Sequence, residues 1–164
     1  MNMTSNINSN SEMFRHSIAT LAYRASKTLR DAPENFAAFH IDAKSRTPVE
    51  ILAHMGDLMD WALSMATGKS VWHESVPQNW DSEVARFYDS VKRFDTFVAS
   101  DAMIVCPLEK LFQGPIADAL THIGQLAMLR RIAGVPIRGE NYFAADILSG
   151  RVGPEQSSPR KEFE

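Results

Sequence analysis

Apolar positions along this chain recur at the three-to-four-residue interval of a helix, and nowhere at the two-residue interval of a strand. The first such stripe is Phe14, Ile18, Leu21, Ala25 and Leu29, preceded by a polar leader to about residue 11 that is expected to be flexible. It predicts a helix ending near Asp31, ahead of Pro33. His16 lies about 160° round from the centre of that stripe at roughly 100° per residue, so it should face water. Residues 33–46 read as a connection with a short helical turn at ENFAAF, and His40 within it stands at no recognisable spacing from another ligand.

Thr47-Pro48-Val49-Glu50 is the strongest start signal in the chain: a capping threonine, a proline at the first helical position and a glutamate at the third. The second helix should run from residue 48 to about Thr67 and be closed by Gly68. A loop, KSVWHESVPQNW, follows, with Asp81 as the expected cap of a third helix whose stripe is Val84, Phe87, Tyr88, Val91, Phe94 and Val98. The fourth helix begins after Pro107 or Pro115 and ends at Gly134, before Pro136. NYFAADIL suits a short helical turn, and residues 150–164 form a polar tail. Four helices on one core is the economical architecture, with a single domain over 1–164.

Composition narrows this picture. With 164 residues, 45% of them hydrophobic, the chain can bury one core and is short for two domains. A net charge of -3 leaves no basic surplus for a phosphate backbone, so nucleic acid is not an expected partner. No apolar run approaches the roughly 20 residues that span a bilayer, and MNMTSNINSN lacks the basic and apolar regions of a signal peptide. The expected location is cytoplasmic, with no membrane partner. The single cysteine, Cys106, excludes an internal disulfide and reads as a structural thiol.

Candidate chemistry sits on two helix faces. His54 stands in line with Ile51, Leu58, Trp61 and Met65, which predicts a buried imidazole, either a satisfied core residue or a metal ligand. In the fourth helix Asp118, Thr121, His122 and Gln125 share one face, opposite Ile116, Leu120, Ile123 and Ala127. A solvated face is the simplest account of them. Yet that sector contains no lysine, glutamate or arginine between Ile116 and Leu129. Asp118 and His122, one turn apart, can chelate a metal together or hydrogen bond. Trp61, Trp72 and Trp80 read as core and loop anchors, with Trp72 and His73 placed to border a cleft. Arg130 and Arg131 suit the negative end of the helix dipole, with anion binding as a secondary role.

ILAHMGDLMDW and DALTHIGQLAMLRRIAG together resemble the DinB-like superfamily of metal-binding proteins: a histidine early in the second helix, then histidine-x-glycine-glutamine, then LRRxxG. The resemblance covers roughly residues 12 to 134 and implies an all-α, up-down four-helix bundle. It also implies a divalent metal held between the second and fourth helices by three side chains, with open positions for water or substrate. His54 and His122 match two family ligands. The third is commonly a histidine four residues before the one in HxGQ, where this chain has Asp118. Two imidazoles and a carboxylate suit zinc, nickel, manganese or iron. Asp57, three residues after His54, is a candidate to orient an imidazole or to replace Asp118 as ligand, and Thr121 and Gln125 would line the cavity or hold the ligands.

Related branches of the superfamily resemble thiol-dependent transferases and isomerases. The expectation is therefore a thiol transferase, isomerase or hydrolase acting on a small electrophile, with a low-molecular-weight thiol as cofactor and a homodimer as assembly. Cys106 has no matched histidine and is not an expected nucleophile. The alternative is a non-catalytic bundle that binds a metal or small molecule.

Overall fold

The computed structural model describes the backbone of residues 3–164, with side chains from residue 10 onward, and is mostly helical. Helix α1, Met3–Leu29, extends back through most of the polar leader rather than starting near residue 12. Once a helix is nucleated by its packed stripe, each further residue costs little to add. Phe14, Ile18, Leu21, Ala25 and Leu29 are all buried, and His16 is exposed. Beyond Arg30 the chain turns through Asp31 in the left-handed region (φ 54°), then through a 3-10 turn at Glu34–Phe36 that inserts Phe36 into the core.

Helix α2, Pro48–Ala66, starts as its sequence demands. The Thr47 hydroxyl accepts from the Glu50 amide, and the Glu50 carboxylate accepts from the Thr47 amide at 2.7 Å, so each satisfies a donor the helix cannot. Gly68, at φ 84°, ends it in a conformation that a side chain would strain. Helix α3, Trp80–Ala99, is capped two residues earlier than expected: Asn79 Oδ1 accepts from the Ser82 amide, and Asp81 lies in the first turn, where a carboxylate favours the dipole.

The fourth helical run starts after Pro107 and passes through Pro115 without stopping. It comprises α4, Leu108–Leu111, a π-helical turn, Phe112–Ile116, and α5, Ala117–Ile132. Pro115 has no amide hydrogen to give the α-helical ladder, and the chain absorbs the loss by widening one turn instead of breaking.

Helix α2 packs against α3 and α5, and α1 against the same two, around a core that includes Leu21, Leu52, Met55, Phe87, Phe94, Ile116 and Leu126. A two-stranded antiparallel sheet, β1 (Gly139–Glu140) with β2 (Glu162–Phe163), lies outside this core. A second 3-10 turn, Tyr142–Ala144, occupies part of the expected turn at NYFAADIL. Among the described residues no helix is long and apolar enough to cross a membrane.

The segment that carries both strands, residues 139–164, folds back on α1. Tyr23 donates to Glu140 Oε1 at 2.6 Å, Lys27 Nζ donates to Glu140 Oε2 at 3.0 Å and to Glu162 Oε1 at 2.6 Å, and Ser26 Oγ donates to the Pro154 carbonyl. Lys27 and Glu140 are both buried, so the pair substitutes for the water each has lost. Burial, then the bond to Glu140, pushes the Tyr23 phenol well above its ordinary pKa.

Candidate metal centre

α2 and α5 lie side by side, and their facing surfaces carry His54 and His122. The two rings meet edge to face, with centroids 4.8 Å apart and planes at 88°. Asp118, one turn before His122, reaches both imidazoles: its Oδ2 is 3.6 Å from His54 Nε2 and its Oδ1 is 3.5 Å from His122 Nε2. One ligand atom from each residue lies within 4.8 Å of the other two, and among the described residues this is the one such cluster of histidine, cysteine and carboxylate groups.

A cation about 2.1 Å from each of two donors requires them to be no more than about 4.2 Å apart, so at its widest the cluster has to draw in by about half an ångström. Side-chain rotation supplies that.

The three groups differ in exposure. His54 keeps 19% of its side-chain surface, His122 11% and Asp118 47%, so the cluster has two sheltered imidazoles and one open carboxylate. His54 is thus half-buried at the edge of the α2 stripe rather than fully inside it, because Asp118 and the solvent beyond lie on its outer side. Burial lowers its pKa, the charges of His122 and Arg46 lower it further, and Asp118 opposes them. At neutral pH His54 therefore presents an uncharged ring with a free lone pair.

Gln125 completes the geometry at His122. Its Oε1 lies 2.8 Å from His122 Nδ1, and since an amide oxygen only accepts, that contact calls for a proton on Nδ1 and leaves Nε2 as the nitrogen that faces Asp118. An imidazole that ligates a metal through one nitrogen commonly donates through the other in this way. Thr121 gives its hydroxyl to the Ala117 carbonyl and stays exposed at the rim, which fits a lining position and commits its one donor away from the imidazoles.

Asp57 does not join the cluster. Its oxygens accept from Arg86 Nη1 at 2.9 Å, Ser75 Oγ at 2.6 Å and the Ser75 amide at 2.9 Å. The carboxylate is buried and committed to tying the loop after α2 onto α3, so it orients no imidazole. Sequence periodicity put Asp57 near His54 on the helix surface but carried no sign of Arg86, which arrives from a different helix.

Compared with known proteins, the chain matches no family model, no curated protein and no solved structure. The site is read from its own geometry.

The loop from residue 67 to 79 walls the site. Trp72 stands edge to face against His54, with centroids 5.5 Å apart, and against Trp61, at 5.8 Å. The loop is held at both ends, by Val71 N donating to Ser64 Oγ and by Ser75 bonding Asp57, which fixes Trp72 between the anchors. The sequence placed Trp72 as a cleft border; its contact with His54 is a direct one. His73 is exposed beside it.

The arginines of α5 divide. Arg131 is exposed, whereas Arg130 is buried and donates to four backbone carbonyls, those of Thr28, Arg30, Asp31 and Val135. A guanidinium spent on helix-end carbonyls is unavailable to an anionic ligand, so Arg130 is a brace between α5 and the end of α1. Cys106 is half-buried in the segment before α4 and stands outside the cluster.

Proposed function

We propose that this chain is a divalent-metal-binding protein of the DinB-like kind, with its helices arranged as an up-down bundle and His54, Asp118 and His122 as the ligands. The observation that carries this reading is the convergence of three ligand atoms from two helices, with His122 Nδ1 already committed to Gln125. A cation held there would supply Lewis acidity and lower the pKa of a nucleophile bound at its open positions.

The chain's own groups have clear parts in such a centre. His54 and His122 bind as neutral rings, Asp118 contributes the one negative charge, and Gln125 orients His122. Trp72 and Trp61 keep water from one side of His54. Because Asp118 is the exposed member, substrate approaches from its side. The reaction class we favour is transfer, isomerisation or hydrolysis on a small electrophile with a low-molecular-weight thiol, in a homodimer in the cytoplasm, where one unpaired cysteine is at ease.

A non-catalytic metal- or small-molecule-binding bundle is the second reading. It is favoured by the commitment of Asp57 to Arg86 and Ser75, which takes the nearest α2 carboxylate out of proton transfer. Turnover with a panel of thiols and electrophiles separates the two.

Elemental analysis of untagged wild type, Asp118→Asn and Asp118→His, prepared in one medium of defined metals, tests the centre itself. Wild type and the histidine variant should carry about one metal per chain, and the asparagine variant less, since a neutral amide is the poorer partner for a divalent cation. Full occupancy in the asparagine variant removes Asp118 from the ligand set. Metal in none of the three ends the metal reading.

A further inference from the structure

Two cavities flank the histidine–aspartate cluster, and they differ in size and in wall chemistry. The smaller, about 150 Å³, lies on the His54 side between Arg46, Glu50, Asp57 and Glu74, and is lined by charge. The larger, about 390 Å³, opens beside Asp118 and is walled by Leu58, Trp61, Gln113, Gly114 and Thr121. Apart from Asp118, none of those walls is charged. A cation on the cluster would offset that one charge, which leaves an uncharged cleft of mixed walls: Leu58, Trp61 and Ala117 on one hand, the Gln113 amide and the Thr121 hydroxyl on the other.

The cleft owes its shape to the π-helical turn at Phe112–Ile116. The wider turn carries Gln113 and Gly114 at its margin, and Gly114 brings no side chain: a β-carbon built there would meet nothing within 4 Å. Its backbone is not in the left-handed region, so conformation does not require glycine at this position. Space is what its absence of a side chain provides. Pro115 accounts for the widening, and widened turns of this kind are frequent at functional sites.

We propose that this cleft is the substrate pocket of the metal centre, and that it takes an uncharged ligand with a small apolar or aromatic body lying against Leu58 and Trp61 and a polar head turned toward Asp118. The proposal rests on the metal reading above and adds the direction of approach and the ligand class. The cavity on the His54 side has room for a small ring, but its charged walls do not suit an uncharged apolar body.

The test uses the full chain loaded with Zn²⁺ and two chelating probes that share one head group, acetohydroxamate and benzohydroxamate, titrated calorimetrically. The wild type should prefer the aromatic probe by about tenfold or more, the gain expected for burying a phenyl body. Gly114→Leu, which fills the cleft, should lose that preference while keeping its Zn²⁺ stoichiometry and its affinity for acetohydroxamate. Gly124→Leu, on α5 where a β-carbon likewise meets nothing within 4 Å, should keep it. Trp61→Ala removes the opposite wall and should lower the preference by a route independent of packing around Gly114. Equal affinity of the wild type for both probes overturns the proposal, as does a preference that survives both Gly114→Leu and Trp61→Ala. Failure of the wild type to bind Zn²⁺ at all shows instead in the stoichiometry and overturns the metal reading with it.

Discussion

Replacing Arg130 with methionine keeps most of the apolar stem and deletes the guanidinium. Four hydrogen bonds go with it: to Thr28 O at 3.0 Å, Arg30 O at 2.7 Å, Asp31 O at 3.2 Å and Val135 O at 3.1 Å. Three of the four acceptors lie in the last turn of α1 or just past it, where a helix leaves its last carbonyls without internal partners. Bonds from a charged donor contribute about 1.5–3 kcal/mol each. Against that sum stands the cost of holding an arginine out of water, several kcal/mol, visible as a pKa that burial lowers from its ordinary value and the charge of Asp31 only partly restores. Arg30 and Asp31 are exposed, so water can reach their carbonyls once the guanidinium is gone, whereas Thr28 is 1% exposed. The net loss should be about 3 kcal/mol, a fall in Tm of roughly 6–12 °C for a chain of this size. Urea unfolding followed by circular dichroism measures it, with Arg131→Met as comparison, expected within about 0.5 kcal/mol of wild type. A loss below about 1 kcal/mol, or equal losses for the two variants, would refute the bracing role.

Zn²⁺ at a hundred times its Kd should stabilise the wild type by about 2.7 kcal/mol, a rise in Tm that differential scanning fluorimetry should find missing in the His54→Ala/His122→Ala double variant. Gln125→Leu should weaken metal affinity about 10- to 100-fold with the three ligands intact, because His122 loses the partner that fixes its tautomer; an unchanged Kd by competition with a chromophoric chelator would count against that role. Absorbance at 295 nm should show Tyr23 and Tyr88 still protonated well above pH 10, since burial raises both phenols. With folded pKa values above the unfolded one, their contribution to stability is complete below about pH 10 and is lost as the pH climbs further.

Features that depend on near neighbours in sequence were readable from it. The capping box at Thr47 and Glu50 is closed within four residues, His54 announces itself on an apolar helical stripe, and His122 does so on a polar face that lacks lysine, glutamate and arginine. Gln125 stands three residues after His122, on the same face, and its partnership could be read from that spacing. Features set by distant partners were not readable. On paper Asp118 is the expected third ligand and Asp57 its alternative; Arg86, from α3, claims Asp57 and leaves Asp118. Arg130 looks like a dipole residue until the end of α1 is brought against it. Residues 150–164 read as a polar tail because most of their attachment is polar: Lys27 holds Glu162, Ser26 holds the Pro154 carbonyl, and one apolar side chain, Val152, reaches the core with no stripe to mark it. Gly114-Pro115 carried a signal of helix interruption, but not that the helix would widen and continue.

The attachment of residues 139–164 to α1 imposes an order on synthesis. Lys27 meets Glu140 and Glu162 across 113 and 135 positions of chain. A ribosome adding roughly 5–20 residues per second needs on the order of ten seconds to deliver those glutamates after the lysine has emerged. Throughout that interval the face of α1 around Tyr23 and Lys27 has no partner and must stay hydrated, while the apolar face of the same helix is already free to gather α2 and α3. Helix α1, made before the helices it packs against, is therefore among the last to be finished, and its polar side serves the nascent chain as a soluble surface before it becomes an interior one.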